Sequence, residues 1–245
     1  HKIFLAHKFL YKKIIAGLIK RSPPAIACLL MSINSAKKNN FGYEKNKYFV
    51  IENNLKHYFT SAFRGNWLYQ NGLFNRSFAL CQSYGIDKIS YKAGDIIIDI
   101  GANYGDLGIY LQQFGVKLYG IEPDDNAFLS LKENNYHQVY KYACSNKEGF
   151  SKIFLHPEKG DTSLIKSNPN EKYSIVETKI LDNLFKDMNK IKLIKLEAEG
   201  FEPEIIRGSL LVLKNTEFIC IDGGPERGPH NLQTIEEVTN ILFEN

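Results

Sequence analysis

The sequence predicts an α/β fold: a mostly parallel central sheet with helices on both faces, preceded by an N-terminal helical extension. Three observations predict it. From Gly94 onward, short β-rich runs alternate with helical segments, the pattern of successive βαβ units. The first of those runs, DIIIDI, is apolar almost throughout, as strands covered on both faces are. With 44% apolar and 13% aromatic residues in 245, the chain can bury a full core and is not globally disordered.

In chain order, the opening KIFLAHKFLYKKIIAGLIKR predicts a basic amphipathic helix with Ile3, Leu10, Ile14 and Leu18 near one face. Pro23 and Pro24 end it, because proline cannot continue a helix. Two kinds of neighbour suit such a helix. One is an anionic membrane surface, touched peripherally through residues 2–21; the other is the main domain or a second copy in a homodimer. Lysines interrupt the apolar part, so signal-peptide anatomy is poor. No apolar stretch reaches the roughly 20 residues that span a bilayer.

NSAKKNNFGYEKNKY is polar and turn-rich and reads as a linker, so residues 1–48 form a first region. Residues 49–93 read as a helical cap on the substrate side, with Trp67, Tyr69 and Phe74 expected in its core. Residues 94–245 form the main domain. Its strands are expected at 95–100, 117–122, 138–144, 150–155, 174–180, 191–197 and 217–222. Its helices are expected at 105–114, 124–134, 202–214 and 232–243. The last helix has no strand after it, where an α/β sheet normally receives one, so an incomplete C-terminus is expected.

Charge and cysteine usage exclude some function classes. The net charge of +4 is too small to indicate nucleic acid, and six basic residues precede position 22. Cys28, Cys81, Cys144 and Cys220 are far apart, which reads as buried reduced thiols in a cytoplasmic protein, associated at most with the inner face of a membrane. The six histidines have no metal-ligand spacing, and no metal site is expected.

The chemistry concentrates after the first main-domain strand. Gly101-Ala-Asn103-Tyr-Gly105 opens a helix. Gly101 permits a tight turn, and Gly105 is expected to let the backbone approach a ligand. A dinucleotide site would have glycine at the middle position, where a side chain crowds a pyrophosphate. Asn103 therefore favours a ligand without phosphates there. About twenty residues on, Glu122 ends the second strand in YGIEPDDNAF, where a carboxylate can accept hydrogen bonds from both hydroxyls of a ribose. Pro123 breaks that strand, and Asp124 or Asp125 caps the next helix. Together these residues indicate an adenosine-containing cofactor, with S-adenosyl-L-methionine favoured over NAD.

The chain from about Gly94 to Asp222 resembles the FkbM family of S-adenosylmethionine-dependent methyltransferases. The resemblance is carried, in order, by IDIGANYG, GIEPDDNAF, YACSNKEG, GDTS, ILDNLF and IKLEAEGFEPEIIRG. It departs at Glu197, where the family has aspartate. The resemblance implies a Rossmann-like class I methyltransferase fold. It also implies that Gly101, Asn103 and Gly105 surround the methionine part of the cofactor, Glu122 the ribose, and Ala143 and Cys144 the adenine. Asp99 and Pro123 are counted with that site, and Asp161 and Ser163 are weaker additions. Asp222 is a further acidic residue at a strand end.

Transfer of a methyl group to oxygen needs alignment, exclusion of water and a base for the hydroxyl proton. In KLIKLEAEG, strand alternation is expected to put Lys195, Glu197 and Glu199 on one side. Glu199 or Glu197 is then the base or substrate orienter, with Lys195 as electrostatic partner. Glu202 is favourably placed in the first turn of the following helix, and Asp182 reads as a helix cap. The acceptor is expected to be a hydroxyl on a sugar, glycan, lipid-linked compound or other small molecule. Two alternatives are an NAD-dependent oxidoreductase and a non-catalytic binding protein that retains the fold.

Overall fold

The computed structural model describes residues 14–36, 39–156, 161–166 and 172–245. The chain divides into two compact units, residues 1–76 and 77–245. Ile3 and Leu10 of the expected opening helix lie outside the described residues.

In the first unit, residues 14–21 are helical (α1) and α2 runs Pro24–Asn34 with proline at its first turn. There proline costs nothing, since the missing N–H would have no partner. A three-stranded antiparallel meander follows: β1 (Asn40–Glu44), β2 (Lys47–Glu52) and β3 (Leu55–Phe59). This corrects both the linker expected up to residue 48 and the helical reading of the residues after it. The two tight turns are Lys45-Asn46 and Asn53-Asn54, all four residues at positive φ. Paired left-handed residues match the twist of a hairpin, and asparagine tolerates them. Helical structure resumes at α3 (Ala62–Leu68), capped by Ser61, and at α4 (Leu73–Ser83), most of which, from Ser77 on, belongs to the second unit. Of the three aromatics expected in the core, Tyr69 is fully buried against His57 and Phe59. Trp67 is exposed instead, because α3 turns Gly65, Asn66 and Leu68 inward, and Phe74 is exposed near the start of α4.

The second unit has the expected Rossmann-like sheet. Its five strands are β4 (Ile96–Ile100), β5 (Lys117–Ile121), β6 (Gln138–Tyr140), β11 (Ile191–Leu196) and β12 (Thr216–Ile221). They are all parallel, in the order β12-β11-β4-β5-β6. The chain starts at the central β4, builds outward through β5 and β6, and later returns to the other side of β4. This reversal lies between β4 and β11, the switch point where open α/β sheets bind ligands beyond their strand ends.

Both faces are buried. Ile98, Ile100, Tyr119, Ile121, Ile194 and Leu196 pack on one side, with α7 (Leu181–Leu184), α8 (Glu202–Arg207), α9 (Leu210–Lys214) and α10 (Ile235–Glu244). Ile97, Leu118 and Leu193 pack on the other with Cys81 of α4 and with Leu107 and Leu111 of α5 (Asp106–Leu111). A short helix, α6 (Asp125–Leu131), follows β5 and is capped by the Asp124 carboxylate, which accepts from Ala127 N–H.

The strand expected over 138–144 is two strands in different sheets. β6 ends at Tyr140, and β7 (Ala143–Cys144) pairs in parallel with β10 (Tyr173–Lys179). β10 also pairs antiparallel with β8 (Gly149–His156), which pairs with β9 (Asp161–Ser163). A small hairpin, β13 (Pro225–Arg227) and β14 (Leu232–Gln233), precedes α10.

The helix expected at 202–214 is broken at Gly208-Ser209 into α8 and α9. Asp182 is a cap, though for α9 rather than for its own helix: its two oxygens accept from the N–H groups of Leu211 and Val212 at 3.1 and 2.7 Å. Asp182→Ala should therefore cost about 1 kcal/mol of stability, as lost caps do. Chemical denaturation checks this, and an unchanged midpoint would remove Asp182 from that role.

Candidate active site

The site is built at the C-terminal ends of β5, β4 and β11, which lie side by side. Register decides which side chains meet: Asp99 of β4 is opposite Lys195 of β11 on one side and Gly120 of β5 on the other. Lys195 and Asp99 are both almost fully buried. The Lys195 ammonium lies 3.2 Å from Asp99 Oδ1 and 3.0 Å from Glu197 Oε2. It also donates to the carbonyls of Ile100 and Gly101 at 3.3 and 2.9 Å. Burial alone would discharge it, but the two carboxylates outweigh burial and hold the amine protonated.

The missing side chain at Gly120 leaves room for the ring of Tyr136, whose hydroxyl donates to Asp99 Oδ2 at 2.6 Å. A Cβ at Gly105, Gly108 or Gly120 would lie within 2.7–2.9 Å of that ring. Gly105 therefore also serves an internal contact, beside the ligand approach to which the sequence points. Gly101 is also small for an internal reason. Its φ is +72°, and a Cβ there would meet the Glu197 carbonyl at 2.0 Å. The glycine loop thus lies directly against the end of β11.

On its other side the loop is tied to β5. The N–H groups of Gly101 and Ala102 donate to the Ile121 carbonyl. Glu122, 4% exposed, accepts from Asn103 N–H at 2.7 Å and from Asp124 N–H at 2.8 Å. Burial pushes its carboxyl up to about 7, against the two amide donors that lower it. Asn103 sits at φ +51°, a left-handed conformation that asparagine tolerates better than other side chains. It thus keeps the backbone freedom of the glycine it replaces. Pro123 lies between Glu122 and the Asp124 cap.

Ala143 and Cys144 belong to β7 and not to the parallel sheet. The Ala143 side chain packs with Ile153 and Val176, and that of Cys144 with the main core. Burial pushes the Cys144 thiol up to about 12, and all four cysteines are free thiols.

Beyond Leu196 strand alternation ends, so it does not carry Glu199 to the side of Lys195 and Glu197. Glu199 stands in a turn at φ +50°, and its carbonyl accepts from Ser163 Oγ at 2.8 Å. Glu202 fixes that turn. Its Oε1 accepts from Ala198 and Gly200 N–H at 2.9 and 3.1 Å, and its Oε2 accepts from Thr234 Oγ1 at 2.9 Å. Its burial raises its pKa. The expectation that Glu202 serves α8 through its position in the first turn is therefore extended: it also closes the turn in front of that helix. Arg227 donates to the Gly200 carbonyl and forms a two-pronged pair with Glu204.

Two residues at the site carry no motif. Tyr84, at the end of α4's chain segment, hydrogen-bonds Glu197, and burial followed by the Glu197 charge raises its phenol; its ring lies 5.8 Å from the Lys195 ammonium. Tyr136 is the other. Their only sequence signal is an aromatic in a helical or turn segment, which fits many positions. Asp222 accepts from Gly224 N–H at 3.0 Å and acts on Tyr84 only through its charge. Among the described residues no group of three or more His, Cys, Asp or Glu could hold a metal ion.

Chemically, the arrangement presents a buried positive charge that pins two strand ends together. One carboxylate stands on each side of the glycine loop: Glu122 toward β5 and Glu197 toward β11. No curated protein matches the chain. The family model for the methyltransferase FkbM domain matches residues 99–240, which take in the loop, both carboxylates, the Lys195 cluster and the Glu202 turn. With more than half its length matched over these elements, the chain belongs to the FkbM methyltransferase family.

Proposed function

We propose that the protein transfers a methyl group from S-adenosyl-L-methionine to a hydroxyl oxygen of a sugar, glycan, lipid-linked compound or other small-molecule acceptor. The observation that carries this reading is the pair of carboxylates flanking the glycine loop at the switch point. The donor set fits the cofactor. Each Glu122 oxygen takes one amide N–H and keeps lone-pair capacity for a ribose hydroxyl. Asn103 adds an amide at a position without a phosphate to crowd. Ala143 and Cys144 have their side chains in apolar packing, so they would offer backbone and apolar surface toward an adenine.

Bound S-adenosyl-L-methionine supplies a methyl group on a sulfonium, which leaves alignment, exclusion of water and proton removal to the protein. Glu197 is the member of the Lys195 cluster that reaches solvent, with 35% of its side chain exposed. It takes the acceptor's proton or orients the hydroxyl, and Glu199 is the second candidate for that role. Lys195 fixes the Glu197 carboxylate and holds the carbonyls at the end of β4. Asp99 neutralises Lys195 from below.

Thermal melting in the presence of S-adenosylhomocysteine and, separately, NADH tests the reading. A rise with S-adenosylhomocysteine is expected, since a ligand bound only by the folded state stabilises it. A rise with NADH alone would overturn the proposal in favour of a nicotinamide-dependent oxidoreductase. Binding without turnover across hydroxylated acceptors would favour a non-catalytic protein.

A further inference from the structure

The first unit carries a surface made of none of the residues assigned to the methyl-transfer site. On α2, Ala27, Cys28 and Met31 face inward, where the helix packs on β1 and α3. Ile26, Leu29 and Ile33 are 50–65% exposed. Their spacing of three and four puts them on one face. The helix PAIACLLMSIN has no charged residue, whereas a water-facing helix side ordinarily carries charges. On α1, Ile14 and Leu18 are also about half exposed, and Lys20 and Arg21 follow them at the surface.

Charge identifies what this surface fits. The first 43 residues hold eight Lys and Arg and no Asp or Glu. The rest of the chain holds 23 basic residues against 27 acidic ones. A chain of modest net charge thus separates into a wholly basic leading segment and an acidic remainder. An apolar helix face within an acid-free basic segment complements a surface that is anionic at its face and hydrocarbon beneath. A second copy of the chain would bring the same positive charges together.

We propose that the α1–α2 segment is a peripheral docking surface for an anionic lipid bilayer. Ile14, Leu18, Ile26, Leu29 and Ile33 enter the acyl boundary, and Lys20 and Arg21 meet the headgroups. No helix among the described residues is long and apolar enough to cross a membrane, so the contact is one of lying on the surface. It does not depend on the reaction assigned to the second unit.

The test is co-sedimentation of the full chain with vesicles of phosphatidylcholine alone and of phosphatidylcholine mixed with phosphatidylglycerol. Binding to the anionic vesicles only, weakening as salt is raised, is expected. Leu29→Glu with Ile33→Glu should lower partitioning by at least about tenfold, as apolar burial is lost and repulsion added. Lys20→Glu with Arg21→Glu should do the same. All these positions are exposed, so melting should be unchanged in both variants, which separates lost binding from lost folding. Absence of binding to anionic vesicles overturns the proposal, and so does equal binding to both compositions. A concentration-dependent dimer that the Leu29/Ile33 variant abolishes, without vesicle binding, assigns the face to a second copy instead.

Discussion

Replacing Lys195 by methionine is expected to destabilise the protein by about 3–5 kcal/mol, the usual cost of leaving a buried charge without its partner. Methionine fills a similar volume, so little of the loss comes from packing. What remains is Asp99, buried between strands, with the Tyr136 hydroxyl still donating to it. The carbonyls of Ile100 and Gly101 lose their common donor as well. Denaturant unfolding should show a lower midpoint with an unchanged slope. Adding Asp99→Asn should recover much of the loss, because the neutral amide needs no counter-charge. A loss below about 1 kcal/mol in the single variant would mean that water or a rearranged carboxyl compensates Asp99, and Lys195 would not be what joins β4 to β11.

The second large effect concerns Glu122 and is expected in binding. Its carboxyl ionises near 7 because burial opposes the charge. The anion is the form that accepts hydrogen bonds from a ribose. Binding should therefore require loss of a proton below that pH, and the affinity for S-adenosylhomocysteine should rise by about tenfold between roughly pH 6 and pH 8 and then level off. The effect on folding has the opposite sign. A carboxyl whose folded pKa is raised contributes stability that is complete below its ordinary range and is lost as pH rises through about 7. Glu122→Gln should flatten the binding profile and weaken affinity at the upper pH by about 1–3 kcal/mol, the scale of hydrogen bonds to charged groups. Calorimetry at several pH values measures both. An affinity that is independent of pH and unchanged in the glutamine variant would remove Glu122 from the ribose position.

The parallel sheet was legible in the sequence because its strands are continuous apolar runs. Each of its five strands lies within a residue or two of its expected place, except where 138–144 breaks at Lys141-Tyr142. That break decides which sheet Ala143 and Cys144 join, yet nothing in QVYKYAC marks it, since all seven residues suit a strand. The meander at 40–59 was legible in principle through Lys45-Asn46 and Asn53-Asn54. Abundant lysine and asparagine masked it as a linker.

At the site, the carboxylates and glycines were visible as motifs, whereas their partners depended on register. Lys195 meets Asp99, 96 residues earlier, because the two are opposed in adjacent strands. Glu199 looks equivalent to Glu197 by alternation, but the strand ends between Lys195 and both glutamates. Tyr136 and Tyr84 are invisible to motif reading, since an aromatic gains its role only from the space around it.

The enclosure of Tyr136 by three glycines has a consequence for engineering. Exchanging glycine for alanine is a common way to rigidify an unfolded chain and raise its melting point. Here Gly105, Gly108 and Gly120 are closed to it. The positions are linked through one phenol rather than through the chain. A smaller residue at position 136 would not release them, since a Cβ would still lie 3.1 Å from Leu118 at Gly108, 3.1 Å from Leu131 at Gly120 and 2.8 Å from Leu131 at Gly105. A thermostabilisation programme would therefore keep Tyr136 and its three glycines together.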